Sequence, residues 1–216
     1  MKKTDLTREK VHGSIPQFFL SVMSGRKRRS RRFASLFALA VISMAAVCQA
    51  REYALTVYGG RTTGQTWMES LSLDADFTDA YIFVGALAWT VSRYHEEALT
   101  LELEGQVGKY FGDQDLLEFN FPAVLRWRDF PWNSRVDTSL AIGLGPSWAT
   151  RDPPVEKSDG GTTRQLLVYW FIEIAAGPPE VNWSGVFRLH HRSTGFGLLA
   201  RDGGSNTLCA GLKVRF

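Results

Sequence analysis

The chain has 216 residues, of which 44% are hydrophobic and 12% aromatic, so it is long enough for one domain with a sizeable buried surface. Its formal net charge of +3 is unevenly distributed, because residues 1–50 contain 10 of the 25 basic residues but only 2 of the 22 acidic ones. The other 15 basic and 20 acidic residues give the chain from Arg51 onward a net charge of −5. The basic pI is therefore no argument for a nucleic-acid partner, and none is predicted.

The N-terminal region predicts a secretory signal peptide. A basic run, RKRRSRR at 26–32, precedes the apolar run FASLFALAVISMAAV at 33–47, and Cys48 and Ala50 supply small residues at the −3 and −1 positions of a cleavage site. The apolar run is too short and too rich in alanine to predict a membrane span. A nuclear or nucleic-acid-binding patch is the alternative reading of the basic run. We therefore divide the chain into an N-terminal extension with a signal peptide, 1–50, and a domain, 51–216; translation starts at Met1 or Met23.

The mature chain would keep a single cysteine. Cys48 leaves with the signal peptide, so Cys209 has no partner for an internal disulfide. The sequence also has no Cys/His spacing typical of a metal site. We predict neither a metal nor another cofactor.

From Arg51 onward, apolar and polar residues alternate, and this pattern predicts eight β-strands. The first strand opens at Tyr53 and ends at Gly59-Gly60, and a polar segment follows over 61–78. The other predicted strands are 80–91, 99–107, 117–127, 136–148, 165–176, 183–195 and 206–216. A Pro/Gly/charge-rich segment, 151–163, is predicted to be an exposed loop.

One face of these strands is charged. Carboxylates cannot face lipid, but they can face the polar interior of a membrane barrel and pair there with basic residues of neighbouring strands. A soluble lipocalin-like barrel or a sandwich, the alternative, would bury the apolar face instead. The fold class is therefore predicted to be all-β, an eight-stranded antiparallel transmembrane β-barrel. Its interior charged and polar residues would include Glu102, Glu104, Glu118, Asn120, Arg126, Glu173, Lys213 and Arg215.

The lengths of the connections predict an orientation. Those after the first, fifth and seventh strands are longer than those after the second, fourth and sixth, as extracellular loops are longer than periplasmic turns. With the signal peptide, this pattern predicts the cell outer membrane, with the N-terminus of the barrel in the periplasm. The seventh strand then runs towards the extracellular rim.

The seventh strand, Trp183 to Gly195, has two unlike faces. His191 and Ser193 lie on the face with the large apolar residues, whereas Arg188, His190 and Arg192 lie on the other. We expect those three to face the lumen and to pair with Glu102, Glu104 or Glu173. Asn206, at the start of the last strand, has the outward face too, so His191, Ser193 and Asn206 are predicted to converge on the lipid-facing surface.

The segment His191-Arg192-Ser193-Thr194-Gly195 resembles the H-x-S-N-x-G motif of the lipid A 3-O-deacylase family, the PagL-type outer-membrane hydrolases. The Gly-rich connection 203–206 and the closing strand 211–216 extend the resemblance to roughly the last thirty residues. It implies an enzyme that cleaves an ester-linked acyl chain from lipid A, the membrane anchor of lipopolysaccharide. Ser193 would be the nucleophile and His191 the general base.

Two departures from the family pattern concern the site. The asparagine after the serine is Thr194 here; backbone amides of Thr194 and Gly195 would form the oxyanion hole, so the change is tolerable. The family has a glutamate near the start of the last strand, where this chain has Ser205 and Asn206. Asn206 would then orient the imidazole, with Asp202 as the alternative acid.

A non-catalytic barrel with a structural or adhesive role is the second hypothesis, because histidine and serine at a barrel rim also contact lipid headgroups. The sequence leaves open which acyl chain would be cleaved and whether the barrel forms a homodimer.

Overall fold

A computed structural model describes residues 52–64, 66–71, 75–157, 162–201 and 203–216. The predicted signal peptide, its cleavage site and both candidate start residues lie outside these ranges. No helix among the described residues is long and apolar enough to cross a membrane. The elements are β1 (Tyr53–Thr63), α1 (Trp67–Ser70), β2 (Phe77–Tyr94), β3 (Leu99–Gly112), β4 (Leu117–Asn120), β5 (Ala123–Trp127), β6 (Asp137–Ala149), a 3-10 turn (Pro154–Glu156), β7 (Leu166–Gly177), β8 (Trp183–Ser193) and β9 (Gly204–Arg215).

The strands form a closed antiparallel ring. Following the hydrogen bonds from β2, the order is β1, β9, β8, β7 and β6, and β6 returns to β2 through β4 and β5 and then β3. β4 and β5 occupy one position in the wall, because each pairs with β3 on one side and β6 on the other. The ring therefore has eight positions, and the predicted eight-stranded antiparallel barrel is confirmed.

The fourth predicted strand, 117–127, is interrupted at Phe121 and Pro122, so its continuity was wrong. Proline has no amide hydrogen for the ladder, which confines it to breaks and edges of sheets. The neighbouring strands close the gap: Glu104 N–H donates to Pro122 O at 3.0 Å, and Phe121 N–H donates to Pro146 O at 3.1 Å.

The two ends of the barrel differ. The described residues that connect β1 to β2, β3 to β4, β6 to β7 and β8 to β9 lie at one end, which we call the loop end. The connections 95–98, 128–136 and 178–182 lie at the other, the turn end. The two chain termini of the barrel meet at the turn end, where Tyr53 and Phe216 exchange backbone hydrogen bonds of 3.0 and 2.9 Å.

The described residues of the predicted polar segment 61–78 are more structured than expected. β1 continues to Thr63, α1 follows, and β2 begins at Phe77. Arg61 explains the extension: although charged, it faces outward on β1, pairs with Asp79 at 2.9 Å and lies over the rings of Phe77 and Tyr81. A polar residue in this strand thus has its partners on the outer wall.

The predicted faces are correct, because charged side chains fill the interior and apolar ones cover the outside. Arg126 donates to Glu102 at 2.8 Å and to Glu173 at 2.9 Å, and Arg188 donates to Glu104 at 2.8 Å and to Glu173 at 2.9 Å. Lys213 also pairs with Glu173. All six are buried. Exposed apolar residues on the outer wall include Val107, Leu125, Ile142, Phe187 and Leu212.

The expected partners of the β8 basic residues are right only for Arg188. His190 Nε2 lies 2.8 Å from Glu118 Oε1, and Arg192 Nη1 lies 2.8 Å from Glu156 Oε1. Both residues follow Arg188 towards the loop end, where β4 and the 3-10 turn provide the carboxylates. The pairing with Glu102, Glu104 or Glu173 was therefore wrong for His190 and Arg192.

Candidate functional site

Four outward positions form a row across neighbouring strands near the loop end. In the strand registers, Thr63 of β1 faces Asn206 of β9, Asn206 faces His191 of β8, and His191 faces Trp170 of β7. Directly opposed residues of antiparallel strands have side chains in contact range on the same face. The closed ring thus brings together residues that are up to 143 positions apart in sequence, as between Thr63 and Asn206.

His191 and Asn206 are hydrogen-bonded, with 2.6 Å between Nδ1 and Oδ1. An amide oxygen can only accept, so this bond requires the proton on Nδ1 and leaves Nε2 as the basic nitrogen. None of the described residues forms a hydrogen bond with Nε2. The Trp170 ring packs on the imidazole, with 4.4 Å between the ring centroids. The arrangement fixes one tautomer and one ring orientation, which a general base needs.

Ser193 is the next outward residue of β8 and is partly exposed. In the registers it lies opposite Val168 of β7 and Gly204 of β9. Its Oγ accepts a hydrogen bond from the Gly195 amide at 3.2 Å. Within the described part of the chain, no hydrogen bond joins Ser193 to His191, so the hydroxyl and the base share a face without being bonded to each other.

A sharp turn follows Ser193. The backbone is left-handed at Gly195, Phe196 and Gly197, with φ of 65°, 57° and 87°, which is unfavourable for a residue with a side chain such as Phe196. Thr194 O accepts from the Leu199 amide at 3.0 Å, which closes the turn. The turn leaves Phe196 and Leu198 exposed beside the candidate site. Of the two predicted oxyanion residues, Gly195 thus has its amide next to the Ser193 hydroxyl.

The helix α1 covers part of the row, and sequence reasoning did not predict it. Trp67 packs edge-on against Trp170 with 5.9 Å between centroids, and Ser70 Oγ lies 2.5 Å from Thr63 Oγ1. Asn206 is only 6% exposed although it belongs to the outer wall. The signal was present as a capping box, Thr66-Trp67-Met68-Glu69, in which the Thr66 and Glu69 side chains each bond the other's backbone.

Glu156 is a second residue that sequence reasoning missed. It lies within 151–163, the segment predicted as an exposed loop, yet it is only 2% exposed. Its carboxylate accepts from Arg192 Nη1 at 2.8 Å, Ser205 Oγ at 3.2 Å and Thr163 Oγ1 at 2.7 Å. Burial raises the pKa of Glu156 to about 6, against the lowering effect of Arg192. Nothing in the local sequence distinguishes this glutamate from a solvated one.

The other residues singled out in the sequence are Asp202 and Cys209. Asp202, the alternative acid, lies outside the described residues. Cys209 is buried as a free thiol. Within the described ranges, no group of His, Cys, Asp and Glu side chains is arranged to hold a metal ion.

Comparison with protein-family models finds no match, and comparison with curated protein sequences finds none. Among solved structures, the chain is similar to the outer membrane enzyme PagL, with a TM-score of 0.51 and 14% identity over 76% of this chain and 99% of that one. It is also similar to Neisserial surface protein A (NspA), with a TM-score of 0.49 and 13% identity over 77% of this chain and 98% of that one. At this identity the likeness to PagL shows the fold alone, that of a small outer-membrane β-barrel.

Proposed function

We propose that this barrel is an outer-membrane ester hydrolase that removes an ester-linked acyl chain from lipid A. Ser193 is the nucleophile, His191 the general base and Asn206 the residue that orients the imidazole. The observation that supports the proposal best is the 2.6 Å bond between His191 and Asn206 on the outer face of β8, two residues from Ser193. A base held in one tautomer beside a hydroxyl is the arrangement that nucleophilic acyl transfer uses.

The reaction follows from these positions. His191 Nε2 takes the proton of Ser193 Oγ as that oxygen attacks the ester carbonyl of the lipid. The Gly195 amide, and that of Thr194, stabilise the negative charge on the carbonyl oxygen. The imidazolium then returns the proton to the sugar oxygen, which leaves as a hydroxyl as the C–O bond of the ester breaks, and water hydrolyses the acyl-serine with His191 again as the base. The products are a fatty acid and lipid A with one acyl chain fewer.

The position of the site suits a substrate that resides in the membrane. His191 and Ser193 belong to the apolar outer wall, which lipid would contact, and the loop end would face the outside of the cell. The interior is filled by the ion pairs of Arg126 and Arg188, so the lumen offers the substrate no route. An acyl chain can therefore reach Ser193 from the surrounding leaflet. Membrane lipid, with lipopolysaccharide as the substrate-bearing partner, is accordingly the proposed environment.

The test is mass spectrometry of lipid A incubated with the purified protein and with Ser193→Ala. We expect the wild type to release a 3-hydroxy fatty acid and the variant to release none. Ser184→Ala is a matched control, because Ser184 is a serine of the same strand that is buried on the interior face. Absence of release by the wild type, or equal release by Ser193→Ala, would overturn the proposal.

A non-catalytic barrel with a structural or adhesive role is the second candidate. It is favoured by the absence of a Ser193–His191 hydrogen bond within the described residues and by the amide, rather than carboxylate, at Asn206. A fluorophosphonate probe separates the two functions without knowledge of the substrate. An activated Ser193 reacts with the probe and Ser193→Ala does not, whereas a non-catalytic barrel reacts in neither form.

A further inference from the structure

The connection between β6 and β7, described over 150–157 and 162–165, is attached to the same two strands that contain the candidate site. Glu156 Oε1 accepts from Arg192 of β8 and from Ser205 of β9, and its Oε2 accepts from Thr163 of its own loop. Arg192 and Ser205 are also directly opposed in the β8–β9 register. One carboxylate oxygen therefore joins the two strands from the interior side.

These contacts lie immediately behind the candidate site. Arg192 stands between His191 and Ser193, and Ser205 precedes Asn206. Because successive side chains of a strand point to opposite faces, fixing Arg192 and Ser205 inside also fixes the backbone from which the outward side chains project. The interior bonds of Glu156 and the exterior bond of His191 to Asn206 thus lie on opposite faces of the same strand pair, β8 and β9.

Further bonds attach the loop to the β8–β9 connection. Lys157 forms a β-bridge with Gly203, Thr162 N–H donates to Arg201 O at 2.7 Å, and Arg201 N–H donates to Thr162 Oγ1 at 3.0 Å. A side chain at Gly203 would begin 2.6 Å from Thr162 O, so the loop lies close against this glycine. Lys157 follows Glu156, and Thr162 precedes Thr163, the loop partner of the carboxylate. The bonds at Lys157 and Thr162 therefore keep the Glu156 carboxylate in place.

We propose that Glu156 is a positioning residue of the hydrolase: it holds β8 and β9 so that Asn206 orients His191 and His191 faces Ser193. The inference rests on the proposed function. Glu156 faces the interior and contacts no substrate, so it acts only through Arg192 and Ser205. A displacement of about 1 Å in a reacting group can lower the rate on the order of 100-fold, which is the scale of effect expected.

Four variants test this role on the full-length barrel in detergent. Glu156→Leu removes every bond of the carboxylate, and Ser205→Ala removes only the contact with β9. Glu156→Gln keeps an acceptor oxygen for Arg192 and Ser205. Thr163→Val is the matched control, because it removes the Oε2 contact within the loop and leaves both strand contacts.

Turnover, KM for the ester and the nitrogen NMR signal of the protonated His191 Nδ1 are measured for each variant. We expect Glu156→Leu to lower kcat on the order of 100-fold with KM unchanged, and to weaken the Nδ1 signal. Ser205→Ala should show a smaller change of the same kind, while Glu156→Gln and Thr163→Val stay near the wild type. If Glu156→Leu does not fold, Ser205→Ala is the variant that decides.

A merely structural role predicts something else. Activity would then follow the melting temperature through all four variants, Thr163→Val included, and the Nδ1 signal would not change; that result overturns the inference. The NMR measurement needs no substrate, so it still tests the positioning role when the wild type hydrolyses no ester. In that case a weakened Nδ1 signal in Ser205→Ala or Glu156→Leu supports the positioning role, and an unchanged signal overturns it.

Discussion

Asn206 is the residue at which the candidate site differs most from a Ser-His-acid arrangement. Its oxygen, 2.6 Å from His191 Nδ1, fixes the tautomer but provides no charge for the imidazolium. We expect Asn206→Leu to lower the rate of ester cleavage by roughly three to four orders of magnitude, as removal of the orienting acid does in Ser-His-Asp enzymes. Asn206→Asp, of nearly the same shape, should keep or raise the rate, because the carboxylate stabilises the imidazolium.

Initial rates on lipid A measure both effects, with Thr207→Ala as a control on the neighbouring interior position of β9. A rate unchanged in Asn206→Leu would remove the orienting role from this residue. If Asp202→Asn instead abolished activity, the loop aspartate would have that role, and no change in either variant would indicate a serine–histidine dyad.

Glu156 gives the loop end a pH dependence. Its folded-state pKa of about 6 is above the ordinary value of 4.5, so folding favours the protonated carboxyl. The resulting stabilisation is fully present below pH 4.5, is lost as pH rises towards 6, and amounts to about 2 kcal/mol. We expect the Thr162 amide, bonded to Arg201 O, to exchange faster at pH 7.5 than at pH 5 after correction for the intrinsic rate. Glu156→Gln should abolish that difference, and a difference that persists in Glu156→Gln would assign it to another group.

At the residue scale, strand alternation was enough to place His191, Ser193 and Asn206 on one outward face. Alternation predicts which face of a strand a residue occupies. The seventh and last predicted strands are neighbours in a closed ring, and both residues lie near the same rim, so a contact between His191 and Asn206 was expected. Alternation could not find Glu156, because burial of a loop residue depends on how the loop folds over the barrel. It also could not assign Glu118 to His190, since that choice depends on the height of each residue along the wall.

Among the elements, α1 is stabilised by its cap. Replacing Thr66 with alanine should cost the helix about 1 kcal/mol, because the hydroxyl no longer accepts from the Glu69 amide. We expect the amides of 66–71 to exchange about fivefold faster in Thr66→Ala. The unfolding midpoint of the barrel should stay unchanged, since the helix lies on the outer wall.

Hydrogen–deuterium exchange with mass spectrometry measures the helix, and the urea midpoint measures the barrel. Thr78→Ala serves as a control, because its hydroxyl bonds Thr62 O on the neighbouring strand and not the helix. A midpoint that falls in Thr66→Ala would mean that α1 contributes to the stability of the whole barrel.

The strands were predictable because outward apolar and inward polar residues alternate along every strand of a barrel wall. The failures lie where a single residue breaks that rule. Pro122 interrupts a strand whose alternation continues through it, and Arg61 continues a strand beyond Gly59 and Gly60, its predicted end. The small helix was missed because four residues are too few for a periodic pattern, although its capping box was in the sequence.

For the whole molecule, the interior ion network should dominate the response to mutation. Arg188→Leu leaves Glu104 and Glu173 buried without their shared guanidinium, and breaking a buried pair in this way costs about 3–5 kcal/mol. Arg61→Leu, which removes the exposed pair with Asp79, should cost less than about 1 kcal/mol. Unfolding by urea in lipid vesicles, followed by tryptophan fluorescence, compares the two. Equal losses would show that the interior charges are compensated by something other than Arg188.

The interior pairs also determine how such a barrel can assemble. Arg188 and Glu104 are 84 residues apart in the chain, and Tyr58 and His190, whose side chains are hydrogen-bonded, are 132 residues apart. A hairpin or half-sheet from the first strands would therefore present Glu104 to hydrocarbon before Arg188 of β8 had arrived, at a prohibitive energetic cost. Insertion and ring closure then become one cooperative event, and an intermediate of a few strands has to remain outside the bilayer until the C-terminal strands join it.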